Sequence, residues 1–393
     1  MSRKVLFVHD GPLYTNKKSE VFGIHYTEEI KQRYLQLGDS VTFCMREKKI
    51  HNSQETKFSR ISDKDFEFIP FPNFKSLSTY LANKPKAKKI IETAVQNHDV
   101  LVARMPSASG TIAIKTARKY KIPYLVEMVA CTYDAYRYYN WKGKLVAPYK
   151  LRKIQKVIKD CSYVIYVTKD FLQNRYPTKG KSIHCSNVKL KTISREVLNE
   201  RLDRIIDGQN RNVTLTLGSI GVIDVKYKGQ ADVIRALHKL KQQSLIYKYK
   251  IVGQGDPSRL QNLIDKLGMS DEIEIVGSLP SEKINDFLQT IDIYIQPSKT
   301  EGLPRALIEA MSMACPAAGS KVGGIPELLN SDCLFEAGNI NEIADIIKSF
   351  TGEKLLKKAK RNYKEAKLYR TETLERRRTE FYETFLKESN FEE

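Results

Sequence analysis

One tryptophan, six histidines and six cysteines in 393 residues leave little from which to build a metal centre or a disulfide frame. The cysteines, at 44, 131, 161, 185, 315 and 333, are scattered, and no pair has the close spacing of a zinc site. They sit in apolar or small-residue runs such as VTFCM and DCSYVIY, which reads as buried, reduced thiols in a cytoplasmic protein. No run approaches the ~18 apolar residues of a membrane span. The opening MSRKVLFVHD holds neither a long apolar region nor a small-residue cleavage site, so it reads as a first strand and not a leader. Acids are scarce beside bases, 46 against 66, for a net charge of +20. The deficit is local: between Lys142 and Arg195, fourteen Lys or Arg face two acids, Asp160 and Asp170. Such a field suits nucleic acid, an anionic membrane or an anionic substrate, with a merely solvated basic surface as the plain alternative. No zinc finger, basic zipper or RNA-binding sheet signature accompanies it, so no nucleic-acid partner is expected. Within the block, Leu151, Ile154, Val157 and Ile158 make one stripe among lysines. This amphipathic helix fits either an anionic lipid surface or ordinary core packing.

The length exceeds what one core holds and predicts two domains. Short apolar runs alternate with helical patterns twice: KVLFVHD, SVTFCM, FEFIPFP, DVLVARMPS, IPYLVEMVA and CSYVIYVTK, then VTLTLGSIG, YKYKIVGQGD, IEIVGSLP, IDIYIQPS, CPAAGS and CLFEAG. Strands separated by helices predict parallel sheets of βαβ units, hence an α/β chain of two Rossmann-like domains facing across a cleft. Residues 1–195 form the expected first domain and 196–365 the second. The polar segment 194–212 reads as the connection, and the charged helical tail, 366–393, as a brace between the two. The first strand is expected to end at Gly11 and Pro12, with a helix from about Gly23 to Leu37.

The least ordinary stretch is PSKTEGLPRALIEAMSMACPAAGSKVGGIPELL, residues 297–329. A buried strand ends near Ser298, Glu301 and Gly302 occupy the next turn, and Pro304 opens a helix whose inward face is Leu307, Ile308 and Met311. N–H groups near Gly302 and Leu303 can point at an anion at this helix start, and Gly302 permits close approach. A carboxylate repels phosphate but accepts from hydroxyls, so Glu301 suits sugar hydroxyls beside a phosphate. Alone, Glu301 also reads as a favourable charge at a helix start, and Glu309 as a solvated helix residue.

The pattern Glu301, Gly302, Pro304, Glu309, Ala310, Met311, followed by VGGIPEL at Val322–Leu328, resembles the signature of the family 4 retaining glycosyltransferases, which have the two-Rossmann-domain (GT-B) architecture. The resemblance implies that Glu301 contacts the donor sugar, Glu309 the nucleotide ribose, and the backbone at Gly302 and Leu303 the diphosphate. It places the base near Gly253, Gly277, Ser278 and Leu279. Lys228, before Gly229, becomes the phosphate-neutralising residue, and with Glu301 the expected catalytic pair. The position of the family's arginine holds Ser219, with Lys226 or Arg305 able to compensate. Such enzymes use no obligate metal and no cofactor beyond a nucleotide-diphosphate sugar, here expected to carry UDP or GDP.

In the first half, Gly11 and Gly23 stand where similar enzymes carry a glycine-rich loop. His9 ends the first strand and is either cleft-facing or core. Arg104 closes an apolar strand and wants a partner or an anionic ligand. Glu127 and Asp134 are acceptor-side candidates whose alternative is a salt bridge with Arg104 or a nearby lysine. Tyr133, Tyr136, Tyr138, Tyr139 and Trp141 cluster before the basic block and fit a sugar, lipid or core packing. The expected function is sugar transfer to a growing, lipid-linked bacterial surface polysaccharide. The expected site is the inner face of the plasma membrane, with the basic segment 142–195 as the contact. The alternatives are a nucleotide-sugar epimerase or phosphorylase of the same architecture, and a basic nucleic-acid-binding protein.

Overall fold

The computed structural model describes residues 2–24, 26–50, 55, 58–74, 77–138, 141–190, 193–211 and 213–390. A first sheet contains β1 (Lys4–Thr15), β2 (Val21–Gly23), β3 (Ser40–Lys49), β4 (Ser59–Arg60), β5 (Phe66–Phe71), β6 (Val100–Met105), β7 (Tyr124–Met128), β8 (Tyr163–Tyr166) and β9 (Lys181–His184). A second contains β10 (Thr216–Ile220), β11 (Lys248–Val252), β12 (Ile273–Gly277), β13 (Ile293–Gln296), β14 (Ala317–Ser320) and β15 (Leu334–Phe335).

The second sheet runs β12-β11-β10-β13-β14-β15, all parallel. The parallel part of the first runs β5-β3-β1-β6-β7-β8-β9. Strands covered on both faces must be apolar throughout, and β6 (VLVARM) and β13 (IYIQ) are buried along their whole length. In each sheet the winding reverses beside the first strand, between β1 and β6 and between β10 and β13. Ligands bind in the crevice beyond the strand ends at such a reversal.

The chain departs from the sequence expectation at two places. β1 does not end at Gly11: after a register shift between Val8 and Pro12 it continues to Thr15, and β2 folds back on it. The following helix is therefore confined to Glu28–Leu35. The polar connection is itself a helix, Arg195–Asn210, capped by Ser194. Its buried Arg201 donates to the carbonyls of Leu288, at 2.7 Å, and Ile291, which fixes the helix to the second domain. The tail follows the helix Gly352–Ala366 and forms the helix Thr371–Glu388. Gly352–Ala366 packs on the second domain, where Asn362 donates to the Cys315 carbonyl at 2.9 Å. Thr371–Glu388 crosses back onto the first, where Phe381 and Phe385 meet the Tyr163 ring edge-on. The two crossing segments touch each other: the Thr371 N–H and hydroxyl both donate to the Leu190 carbonyl, at 3.1 and 3.0 Å. One apolar cluster runs from Phe7 and Phe43 through Leu374 and Phe385 to Leu307 and Ile308, so a shared core lies under both domains. All six cysteines are free and buried.

Candidate active site

The crevice beyond β10 and β13 is assembled from two turns zipped together. Residues 226–229 leave β10, and residues 297–299 leave β13. Lys299 N–H donates to the Tyr227 carbonyl at 2.7 Å. Gly229 lies at φ +76°, with the Pro297 carbonyl 1.9 Å from where a Cβ would sit, so this contact demands glycine. The zipper sets Lys228 against Glu301, Nζ to Oε1 2.6 Å, with both side chains mostly buried. The same oxygen accepts from Gln296 Nε2 at 3.2 Å, and that amide also donates to Ser298 Oγ at 2.9 Å. The Tyr294 hydroxyl completes the relay by donating to Gln296 Oε1 at 2.8 Å. Burial pushes the Tyr294 phenol up, and the charges of Glu309 and Glu301 add to the effect.

Glu309 lies half-buried on the helix Arg305–Ser312, and its carboxylate makes no hydrogen bond or ion pair among the described residues. Burial pushes its carboxyl above the usual range, moderated by the exposed Arg305 one turn earlier. The N–H groups of Gly302 and Leu303 likewise carry no hydrogen bond among the described residues. Two aligned donors, an ammonium and an unengaged carboxylate in one crevice suit an anion joined to a polyol.

Next to them opens a cavity of about 300 Å³ lined by Ile223, Gly253, Gln254, Ile275, Gly277 and Ser278. Its floor is drawn tight: the Gly253 N–H donates to the Gly277 carbonyl at 2.9 Å, and a Cβ on Gly253 would fall 1.9 Å from the Gly221 carbonyl. Leu279 packs against the apolar core beside this cavity. Ser219 is buried in β10 with its hydroxyl 2.6 Å from that of Tyr249, so it is engaged inside the sheet and supplies nothing to the crevice.

In the first domain several of the acceptor-side candidates have partners within the fold. Arg104 and Glu127 stand opposite one another in the β6–β7 register and form a buried pair, with Nε and Nη2 2.9 and 2.7 Å from Oε2. Arg104 also donates to the Tyr34 hydroxyl at 3.2 Å. Burial would raise the Glu127 carboxyl, but Arg104 overrides it and holds the group below its ordinary value. The pair is a closed structural unit and offers no charge to an acceptor. Asp134 lies in the short helix Thr132–Arg137, 3.9 Å from Arg175. Gly23 is buried in β2, where a Cβ would meet the Tyr26 carbonyl at 1.8 Å, so it serves packing and no loop. Gly11 lies inside β1, and its N–H donates to His9 Nδ1 at 2.8 Å. The Tyr26 hydroxyl is 2.6 Å from the same nitrogen, which fixes His9 with Nδ1 as acceptor. Asp10, which carries no sequence signal beyond its strand-end position, accepts from the N–H groups of Ala108 and Ser109 at 3.0 and 2.9 Å. The first domain's helix start is thus filled by its own carboxylate, while the second domain's stays open.

Two sheets of Rossmann winding that meet at a crevice are the two-domain GT-B architecture, and with its relatives they make the chain a glycosyltransferase of that fold. The model of the family described as glycosyl transferases group 1 matches residues 206–368. Protein CapJ of Staphylococcus aureus is 29% identical over 352 residues, 88% of this chain and 85% of that protein. A putative colanic acid biosynthesis glycosyltransferase, WcaL of Escherichia coli (strain K12), is 36% identical over 112 residues, 27% of this chain and 28% of that one. Among solved structures, a sucrose-phosphate synthase from Thermosynechococcus elongatus aligns over 98% of this chain and 100% of its own, with a TM-score of 0.69 at 13% identity. Anabaena HepE in complex with UDP-glucose aligns over 97% of this chain and 99% of its own, with a TM-score of 0.64 at 16% identity. Among the described residues no group of three or more His, Cys, Asp or Glu is placed to hold a metal, and no helix is long and apolar enough to cross a membrane.

Proposed function

We propose that this enzyme transfers a sugar, with retention, from a nucleoside-diphosphate sugar to a saccharide growing on a lipid carrier. The carrying observation is the Lys228–Glu301 pair beside the unpaired N–H groups of Gly302 and Leu303. In the reaction the bond from the anomeric carbon to the diphosphate oxygen breaks and a bond to the acceptor hydroxyl oxygen forms. The acceptor proton passes to the departing diphosphate. Lys228 and the two N–H groups stabilise the charge that develops there. Glu301 holds the sugar hydroxyls, Glu309 accepts from the ribose, and the glycine-lined cavity takes the base. The complex of HepE with UDP-glucose supports a uridine donor. The relatives named for colanic acid, amylovoran and teichuronic acid biosynthesis support a polysaccharide acceptor.

The lipid-linked acceptor is supported by a surface on the first domain. The stripe Ile154, Val157 and Ile158 is buried and packs the helix Trp141–Ile158 onto its domain. The first half of that helix instead exposes Trp141 at 70%, Leu145 at 73% and Tyr149 at 63%. These are spaced by four residues and lie on one side of the helix. On the helix Leu77–Gln96, Lys84 donates to the Tyr80 hydroxyl at 2.7 Å and lowers that phenol, and the charges of Lys150 and Lys153 add to the effect. Leu81, beside it, is 84% exposed. Apolar side chains ringed by lysines fit an anionic bilayer surface. Tyr139, singled out in the same cluster, lies outside the described residues.

A screen of UDP-, GDP- and ADP-sugars by thermal shift and donor hydrolysis, with product analysis on lipid-linked saccharides, tests the reading. Stabilisation by one nucleotide class and transfer with retained anomeric configuration are expected. No stabilisation by any nucleotide would overturn it.

A further inference from the structure

Glu327 belongs to the second domain, and its carboxylate accepts its hydrogen bonds from the first. One carboxylate oxygen accepts from the Lys169 N–H at 2.6 Å. The other accepts from the N–H groups of Asp170 and Phe171 at 3.1 and 2.6 Å. Three charge-assisted bonds to consecutive backbone amides make the most concentrated polar contact between the domains near the cleft. What lies behind Glu327 is equally specific. Gly323, at φ +58°, and Gly324 pack directly on the donor loop: Cβ atoms there would fall 2.3 Å from the Glu301 carbonyl and 2.9 Å from that of Gly302. The Gly324 N–H donates to the Gly302 carbonyl at 2.6 Å. On its other side Gly302 meets the first domain, where a Cβ would lie 2.3 Å from the Val129 carbonyl. Leu303 packs against the apolar clusters of both domains. The donor loop is therefore held between the glycine turn and the first domain, and Glu327 fastens that stack from outside.

We propose that Glu327 is a positioning residue: it latches the second domain onto the first, and the latched state sets the donor loop 301–303 for transfer. This rests on the proposed function for its chemistry, but the latch itself is a statement about the domains. The residues proposed to hold the nucleotide all lie in the second domain, so a latch between the domains acts on turnover and domain closure and not on nucleotide affinity.

The test compares wild type, E327A and E327Q as full-length chains by small-angle scattering, by calorimetric titration with UDP, and by UDP release from the nucleotide sugar that the donor screen selects. In E327A the radius of gyration should rise by about 1 Å, as expected when domains of this size part. The Kd for UDP should stay within about twofold and kcat should fall at least ~10-fold, the scale of a misplaced reacting group. E327Q keeps acceptor oxygen and should recover part of both the compactness and kcat. A merely structural role would lower the unfolding temperature and leave kcat per folded molecule unchanged, which would overturn the proposal. Wild-type scattering and kcat in E327A would overturn it as well, as would a loss of UDP affinity matching the loss of kcat. If wild type bound no nucleotide, the proposed function would fail while scattering alone still judged the latch.

Discussion

Replacing Glu301 by Gln should make the enzyme bind free UDP more tightly while destroying transfer. In the ligand-free enzyme the Lys228 ammonium is already satisfied at 2.6 Å by the Glu301 carboxylate. A diphosphate must draw it away and must also approach a fixed negative charge. A complete donor offers compensation, since its sugar hydroxyls replace the ammonium at Glu301. Free UDP offers none. The pair is 21% and 12% exposed, so it lies between a surface pair, worth about 0.2–1 kcal/mol, and a buried one, whose rupture costs about 3–5 kcal/mol. A value near 1 kcal/mol corresponds to about fivefold tighter UDP binding in E301Q. Loss of the sugar contact should lower kcat by ~100-fold or more. Isothermal titration of UDP into wild type, E301Q, K228A and the double variant reads the effect. The gain must vanish when Lys228 is absent. Unchanged or weaker UDP binding in E301Q, or the same gain in the K228A background, would refute the exchange.

Glu309 has a carboxyl raised by burial, so the folded chain holds its proton to higher pH than the unfolded chain, and stability falls as pH rises through that window. E309Q should therefore melt roughly a degree or more above wild type near neutral pH yet bind UDP more weakly, and wild-type UDP affinity should fall as pH drops through the raised pKa. Thermal melts and titrations at stepped pH check both signs. R104M leaves Glu127 buried without its partner and should cost about 3–5 kcal/mol in urea unfolding, most of it recovered in R104M/E127L. W141A/L145A/Y149A should weaken binding to phosphatidylglycerol vesicles at least ~10-fold, from about 1 kcal/mol or more of apolar contact per side chain, with UDP affinity unchanged. Equal vesicle binding by the triple variant would remove this face from consideration.

The donor side was legible because its chemistry is local. Glu301, Gly302, Pro304 and Glu309 fall within nine residues, so the resemblance that relates them can be read from one short stretch. Lys228 was reachable only through the resemblance, since a lysine before a helix-opening glycine reads by itself as a solvated residue. The first domain resisted for a different reason. Arg104 and Glu127 were each visible as charges in apolar strands, but their pairing is a matter of parallel register across 23 residues. Glu327 was read as part of VGGIPEL, yet its partners are backbone amides, which leave no trace in residue type. Gln296 and Tyr294 looked like ordinary strand residues until the relay to Glu301 gave them a role.

The double crossing between the domains has a mechanical consequence. A single connecting strand would let the halves swivel in any direction. Here the outgoing segment at Leu190 and the returning one at Thr371 are stitched by two hydrogen bonds to one carbonyl, and the returning helix is bedded on the first sheet. Parting the halves at this crossing therefore has to break both bonds or carry Leu190 and Thr371 along together, so two stretches of chain far apart in sequence share one seam.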